Sequence, residues 1–368
     1  MSNEALRALS DAGVSVWLDD LSRGRLTSGS LRELLSTHCV VGVTTNPSIF
    51  QKAVASGAAE YAEQLESLRA AGADVNAAVR AVTVADVQAA CDLFLGTYQS
   101  SGGCDGRVSI EVDPRLAHDT DATIADGVEL HRLVARDNVM IKVPATKAGL
   151  PAVTELLARG ISVNVTLIFS VDRYREVLHA WAAGLERARG AGLDITEIHS
   201  VASFFVSRVD TAVDTRLRAL GTDEAKALLG HAAIANARLA WQAFLDFTAT
   251  SSWQSLQAVG AQVQRPLWAS TGVKDPAYSD TRYVVDLVAR ACVNTMPEST
   301  LNAMADHGVV IGDTITDHMA DAARVWRELE SLGVSYREVT DELEAAGVSA
   351  FIDSWNDLLT TVQTALTT

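Results

Sequence analysis

Eight short apolar runs, each followed by a stretch of helical pattern, decide what this chain can become. They are Val14–Leu18, Val40–Val43, Arg107–Val112, Val139–Val143, Ile161–Thr166, Ile198–Phe204, Pro266–Ser270 and Ala291–Thr295. Between them lie stretches of helical pattern, including Pro47 to about Ser100, Thr120–Arg136, Asp172–Ala188, Val206–Val259 and Asp280–Ala289. Strands alternating with helices predict a parallel sheet, and eight such units predict a (β/α)₈ barrel of the α/β class. Such a barrel takes about 250 residues. A chain of 368 residues therefore reads as one decorated barrel domain over residues 1–368. From about Gly308 to Thr368 a helical C-terminal tail follows, with apolar spacing around Val325, Leu329 and Leu332. Packing on the barrel flank through Leu329 and Leu332 is the expected arrangement; a place over the barrel mouth is the other.

Side chains alternate across a strand, so residues two apart share a face. In the third run Val108, Ile110 and Val112 oppose Arg107, Ser109 and Glu111. In the fifth, Ile161, Val163 and Val165 oppose Ser162, Asn164 and Thr166. The first run and its end offer Ser15, Trp17 and Asp19, the second Gly42, Thr44 and Asn46, and the sixth Ser203. Polar residues near the carboxyl ends of inward faces are where barrel enzymes place their chemistry. Asn46, before Pro47, reads equally well as a turn residue.

Lys142 stands alone inside the apolar run Val139–Val143, where lysine is rarely buried. One reading is an internal ion pair with Glu111. The other is chemical: desolvation favours the neutral form of a buried amine, which can then attack a carbonyl. The imine so formed is an electron sink for C–C cleavage, and carboxylates such as Asp19 and Glu111 serve acid–base steps. Arg208 and Ser270 are placed to hold a phosphate, since arginine matches phosphate geometry by paired hydrogen bonds.

The net charge of −16 argues against nonspecific nucleic-acid binding but leaves room for a local cationic pocket. Cys39, Cys91, Cys104 and Cys292 are far apart and read as thiols in a reducing compartment. The start lacks a signal-peptide pattern, and no apolar run approaches the roughly 18 residues of a membrane span. A cytoplasmic chain without membrane partners is expected. The eight histidines lack metal-binding spacing and no Gly-x-Gly-x-x-Gly follows the first strand, so no metal and no dinucleotide cofactor is expected.

Six segments together resemble the transaldolase family. They are Val-Trp-Leu-Asp19-Asp, Gly-Val-Thr-Thr-Asn46-Pro-Ser, Ile-Glu111-Val-Asp-Pro-Arg-Leu, Ile-Lys142-Val-Pro-Ala-Thr, Val-Asn164-Val-Thr166-Leu-Ile-Phe-Ser and Ser203-Phe-Phe-Val-Ser-Arg208. The resemblance runs from about Val14 to Ser270 and more loosely through Asn294–Glu298, and the length is similar to the longer bacterial type. It implies a class I aldolase barrel of the pentose phosphate pathway acting on sugar phosphates. By that likeness Lys142 forms the Schiff base and Asp19 takes the C4 hydroxyl proton, while Glu111 and Thr166 handle water. Thr44, Asn46, Asn164, Ser203 and Phe205 would contact the sugar, and Arg208 with Ser270 the phosphate. The family often carries an arginine two residues past that serine. Here the position is Gly272, which leaves Lys274 or Arg282 as the second phosphate cation. A related lysine aldolase and a non-catalytic sugar-phosphate-binding barrel are the alternatives. Monomer and homodimer are both open.

Overall fold

The computed structural model describes residues 3–367; Met1, Ser2 and Thr368, the last residue of the expected tail, lie outside them. Its centre is a closed barrel of parallel strands in sequential order. They are β1 (Val14–Leu18), β2 (Val40–Val43), β3 (Arg107–Glu111), β4 (Val139–Pro144), β5 (Val163–Ile168), β6 (Ser200–Phe205), β7 (Arg265–Ala269) and β8 (Cys292–Met296). β8 closes on β1 in unbroken register from Val14 opposite Cys292 to Leu18 opposite Met296. The valine-rich strands are buried on both faces, as a barrel wrapped by helices requires.

Several boundaries differ from the sequence reading, for local reasons. β5 starts and ends two residues later; near its end Leu167 adopts a left-handed φ of 60°, and the pairing with β6 shifts between Val165 and Ile168. The helix expected over Asp280–Ala289 shortens to Arg282–Val285. The long region after Val206 is four helices, the first (Ser207–Leu220) closed by Gly221 with φ 70°.

The barrel floor is polar. Ser15 Oγ donates to Asp105 Oδ2 (3.0 Å), and Arg265 Nη1 donates to Ser15 Oγ (2.7 Å). Arg107, fully buried, donates to the carbonyls of Gly103 and Asp137. Above this layer Trp17 fills the space beside Gly42, where an added Cβ would lie 2.5 Å from the indole. Trp17 has no exposed surface and cannot yield easily. Gly42→Ala should therefore destabilise the fold by about 1–3 kcal/mol, as overpacking does, measurable as a lower urea midpoint at unchanged slope.

The tail divides. Its first long helix, Met319–Ser331, packs on the flank helix Ala232–Thr248 with Leu329 fully buried, as the sequence suggested. Leu332, at the end of that helix, is only half-buried. The second, Tyr336–Thr367, leaves the flank and crosses the barrel mouth, touching the helices Pro47–Ser56, Val75–Ser100 and Ser207–Leu220. Tyr336 fixes the turn between them: its hydroxyl accepts from Val171 N (2.8 Å) and donates to Asn236 Oδ1 (2.7 Å).

Candidate active site

At the carboxyl ends of the strands lies a cavity of ≈ 330 Å³. Its walls include Asp19, Thr44, Asn46, Lys142, Ser203, Phe205, Arg208, Ser270 and Lys274, nine of the positions singled out from sequence. Glu111, Asn164 and Thr166 lie outside that wall, in the barrel interior. The register sets Glu111 opposite Lys142 and Lys142 opposite Asn164, so three neighbouring strands hold these side chains in one layer.

Lys142 is almost completely buried. Its Nζ donates to the carbonyl of Thr45 at 3.0 Å and sits 3.4 Å from Glu111 Oε2, an ion-pair contact without hydrogen-bond alignment. Both Glu111 oxygens and Thr166 Oγ1 are buried without a hydrogen-bond partner. Buried polar atoms are seldom left so; these keep their hydrogen-bonding capacity, those of Glu111 beside the amine. Asn164 is engaged on both sides, donating to Ser109 Oγ (3.0 Å) and accepting from Ser203 Oγ (2.7 Å). That pairing fixes where the Ser203 hydroxyl stands in the wall.

Asp19 follows the end of β1 and is half-buried in the cavity wall. Thr44 Oγ1 donates to its Oδ1 at 2.8 Å and meets Thr295 Oγ1 at 2.7 Å. Burial raises the Asp19 carboxyl above its ordinary range, against the opposing pull of Lys142 and the Thr44 hydroxyl. Glu111 behaves likewise: burial outweighs Lys142 and pushes its carboxyl up to about 7.

Between its ordinary 4.5 and about 7 the native Glu111 holds a proton that the unfolded chain has released. The stability it contributes is complete below the lower value and is lost as pH rises through the upper one. Glu111→Gln, neutral throughout, should abolish that loss. Relative to the variant, the wild type should lose on the order of 3 kcal/mol between about pH 5 and pH 8, read from denaturant melts.

Part of the same wall is cationic. Arg208 is the second residue of the helix Ser207–Leu220, whose amino end favours anions. Its guanidinium lies 5.4 Å from the Phe205 ring centroid. Ser207 Oγ and Ser270 Oγ are 2.9 Å apart and tie the ends of β6 and β7 together. Of the two candidates for the second cation, Lys274 reaches the cavity wall. Arg282 is held elsewhere, stacked 4.4 Å from the Tyr278 ring and donating to the Gly230 carbonyl.

The wall also holds residues that sequence reasoning missed, above all Lys52 and Phe351. Lys52 rides on the helix Pro47–Ser56, whose start is capped by Asn46 Oδ1 accepting from Ile49 N (3.0 Å). Its signal was a cation within two turns of the helix start that follows β2. Asn46 is thus both a turn residue and a wall residue. Phe351 comes from the tail and lies 5.7 Å, centroid to Nζ, from Lys142. Nothing in its local sequence announced that. Among the described residues no helix is long and apolar enough to cross a membrane.

Comparison with known proteins points to one family. The model of the transaldolase/fructose-6-phosphate aldolase family matches residues 16–362. Transaldolase 1 of Streptomyces avermitilis is 61% identical over 363 residues, covering 99% of this chain and 96% of its own. The transaldolase of Mycolicibacterium paratuberculosis is 60% identical over 365 residues, covering 99% and 98%. Transaldolase 2 of Streptomyces coelicolor is 57% identical over 363 residues, covering 99% and 97%. A closed (β/α)₈ barrel with a buried lysine between two carboxylates, matched over nearly its whole length, belongs to the transaldolase/fructose-6-phosphate aldolase family.

Proposed function

We propose that this barrel transfers a dihydroxyacetone unit from sedoheptulose 7-phosphate to glyceraldehyde 3-phosphate. The products are erythrose 4-phosphate and fructose 6-phosphate, the transaldolase reaction of the pentose phosphate pathway. The observation that carries the reading is the Lys142 amine, buried at a cavity between Asp19 and Glu111, with cations lining the same cavity.

Lys142 Nζ attacks the ketose carbonyl, and water leaves as the imine forms. Asp19, whose carboxyl burial keeps raised, takes the C4 hydroxyl proton as the C3–C4 bond breaks. The electron pair flows into the iminium and the unit stays on the lysine as an enamine. Glu111 and Thr166, with buried polar atoms lacking partners, hold the water that enters and leaves at the imine carbon. Thr44 orients Asp19, Ser203 and Asn46 face the bound three-carbon unit, and Asn164 supports Ser203.

Arg208 and Ser270 take the phosphate, and Lys274 with Lys52 stands where the family arginine is missing. Two point charges on flexible stems hold a phosphate less rigidly than a guanidinium fork. The double variant Lys52→Ala/Lys274→Ala should raise KM for fructose 6-phosphate about tenfold with kcat nearly unchanged. Steady-state kinetics at low salt reads this directly.

The chain acts on sugar phosphates in the cytoplasm as one barrel unit, monomeric or dimeric. The test is to supply fructose 6-phosphate and erythrose 4-phosphate and follow sedoheptulose 7-phosphate. Its formation at a rate well above release of free dihydroxyacetone supports transfer. Cleavage without acceptor dependence would make this a simple aldolase instead.

A further inference from the structure

We propose that Phe351, carried across the mouth by the tail helix, decides whether the bound three-carbon unit is transferred to an aldose or lost as free dihydroxyacetone. The inference rests on the transfer reading above and concerns the fate of its enamine. Gly347, Phe351, Ser354 and Leu358 recur at helical spacing along Tyr336–Thr367 and so share one face. That face is seated on the barrel. An added Cβ at Gly347 would lie 3.1 Å from Leu167 Cδ2 and 3.3 Å from the Phe169 ring, so a side chain here would press on both and crowd the helix against the barrel. Ser354 Oγ is 2.7 Å from Ser48 Oγ, and Leu358 has no exposed surface. Beside the seat, Arg173 holds Glu344 at 3.2 Å. The helix is pinned on both sides of Phe351, whose ring is 3% exposed and faces the Lys142 amine.

The chemistry gives that ring a task. After cleavage the enamine carries its electron pair on the carbon formerly bonded to C4. In transfer, that carbon bonds to the aldehyde carbon of the acceptor, and the aldehyde oxygen takes a proton from Asp19. In release, the same carbon takes a proton instead. Water then adds to the iminium carbon, the C–N bond breaks, and Lys142 recovers its amine as free dihydroxyacetone leaves. Both routes consume one water at the imine carbon, so they part only at protonation of the enamine carbon. A phenyl ring over the lysine supplies no proton and keeps solvent from that side, while the Glu111–Thr166 side still admits the water both routes need.

The experiment compares free dihydroxyacetone with sedoheptulose 7-phosphate formed from fructose 6-phosphate and erythrose 4-phosphate. Free dihydroxyacetone is read by coupled reduction to glycerol. Phe351→Ala should raise the release-to-transfer ratio about tenfold, and Phe351→Leu should fall between. Gly347→Val, which leaves the ring intact but lifts its helix, should raise the ratio too and keeps the test available if the alanine variant folds poorly. An unchanged ratio in Phe351→Leu and Gly347→Val, with transfer and imine trapping intact, would overturn the role of Phe351 and leave the transfer reading standing. A wild type that neither traps an imine nor transfers would overturn both.

Discussion

Lys142→Ala should lower dihydroxyacetone transfer by at least about ten-thousandfold, because no other amine in the cavity can take over covalent catalysis. Lys52 and Lys274 line the same cavity, but on the cationic wall with Arg208. The fold should survive. Removing the amine leaves Glu111 without its cation, yet burial already holds its carboxyl up to about 7, so a neutral Glu111 is close at hand. A purely structural ion pair makes the opposite forecast, a large loss of stability with little specific loss of rate. Coupled transfer assays alongside thermal melts separate the two outcomes.

Asp19→Asn should cost about 10²- to 10⁴-fold in kcat, the range for loss of a general acid–base group. The amide preserves the shape and can still accept from Thr44 Oγ1, which now meets the carboxylate at 2.8 Å. What it cannot do is receive the C4 hydroxyl proton. The imine should therefore form and then stall before the C–C bond breaks. Reduction of the stalled variant should give an adduct carrying the whole ketose rather than three carbons, visible by mass. A variant that slows imine formation and cleavage equally would assign Asp19 to binding instead.

Much of this was legible because strands announce themselves by length and parity. Ser109 and Glu111 do sit on one face of β3, and the β3–β4–β5 register brings Glu111, Lys142 and Asn164 into one layer. Parity alone does not say which end of the barrel a polar residue serves. Ser15, Arg107 and Arg265 build the floor, whereas Asp19, Thr44 and Lys142 reach the mouth; only position along the strand separates them. The tail was harder. Its apolar spacing is compatible with any surface it might cover, and the decisive feature is one small residue, Gly347, matched to Leu167 and Phe169 far away in sequence. Arg282 illustrates the converse. It is near in sequence to Ser270, but aromatic stacking on Tyr278 draws it from the mouth.

Reduction with borohydride in the presence of fructose 6-phosphate, followed by peptide mass mapping, locates the lysine that carries the imine. The wild type should carry a three-carbon adduct on the peptide containing Lys142, and Lys142→Ala should carry none. An adduct on another lysine, or none at all from a protein that still transfers dihydroxyacetone, would contradict the assignment of Lys142 as the nucleophile.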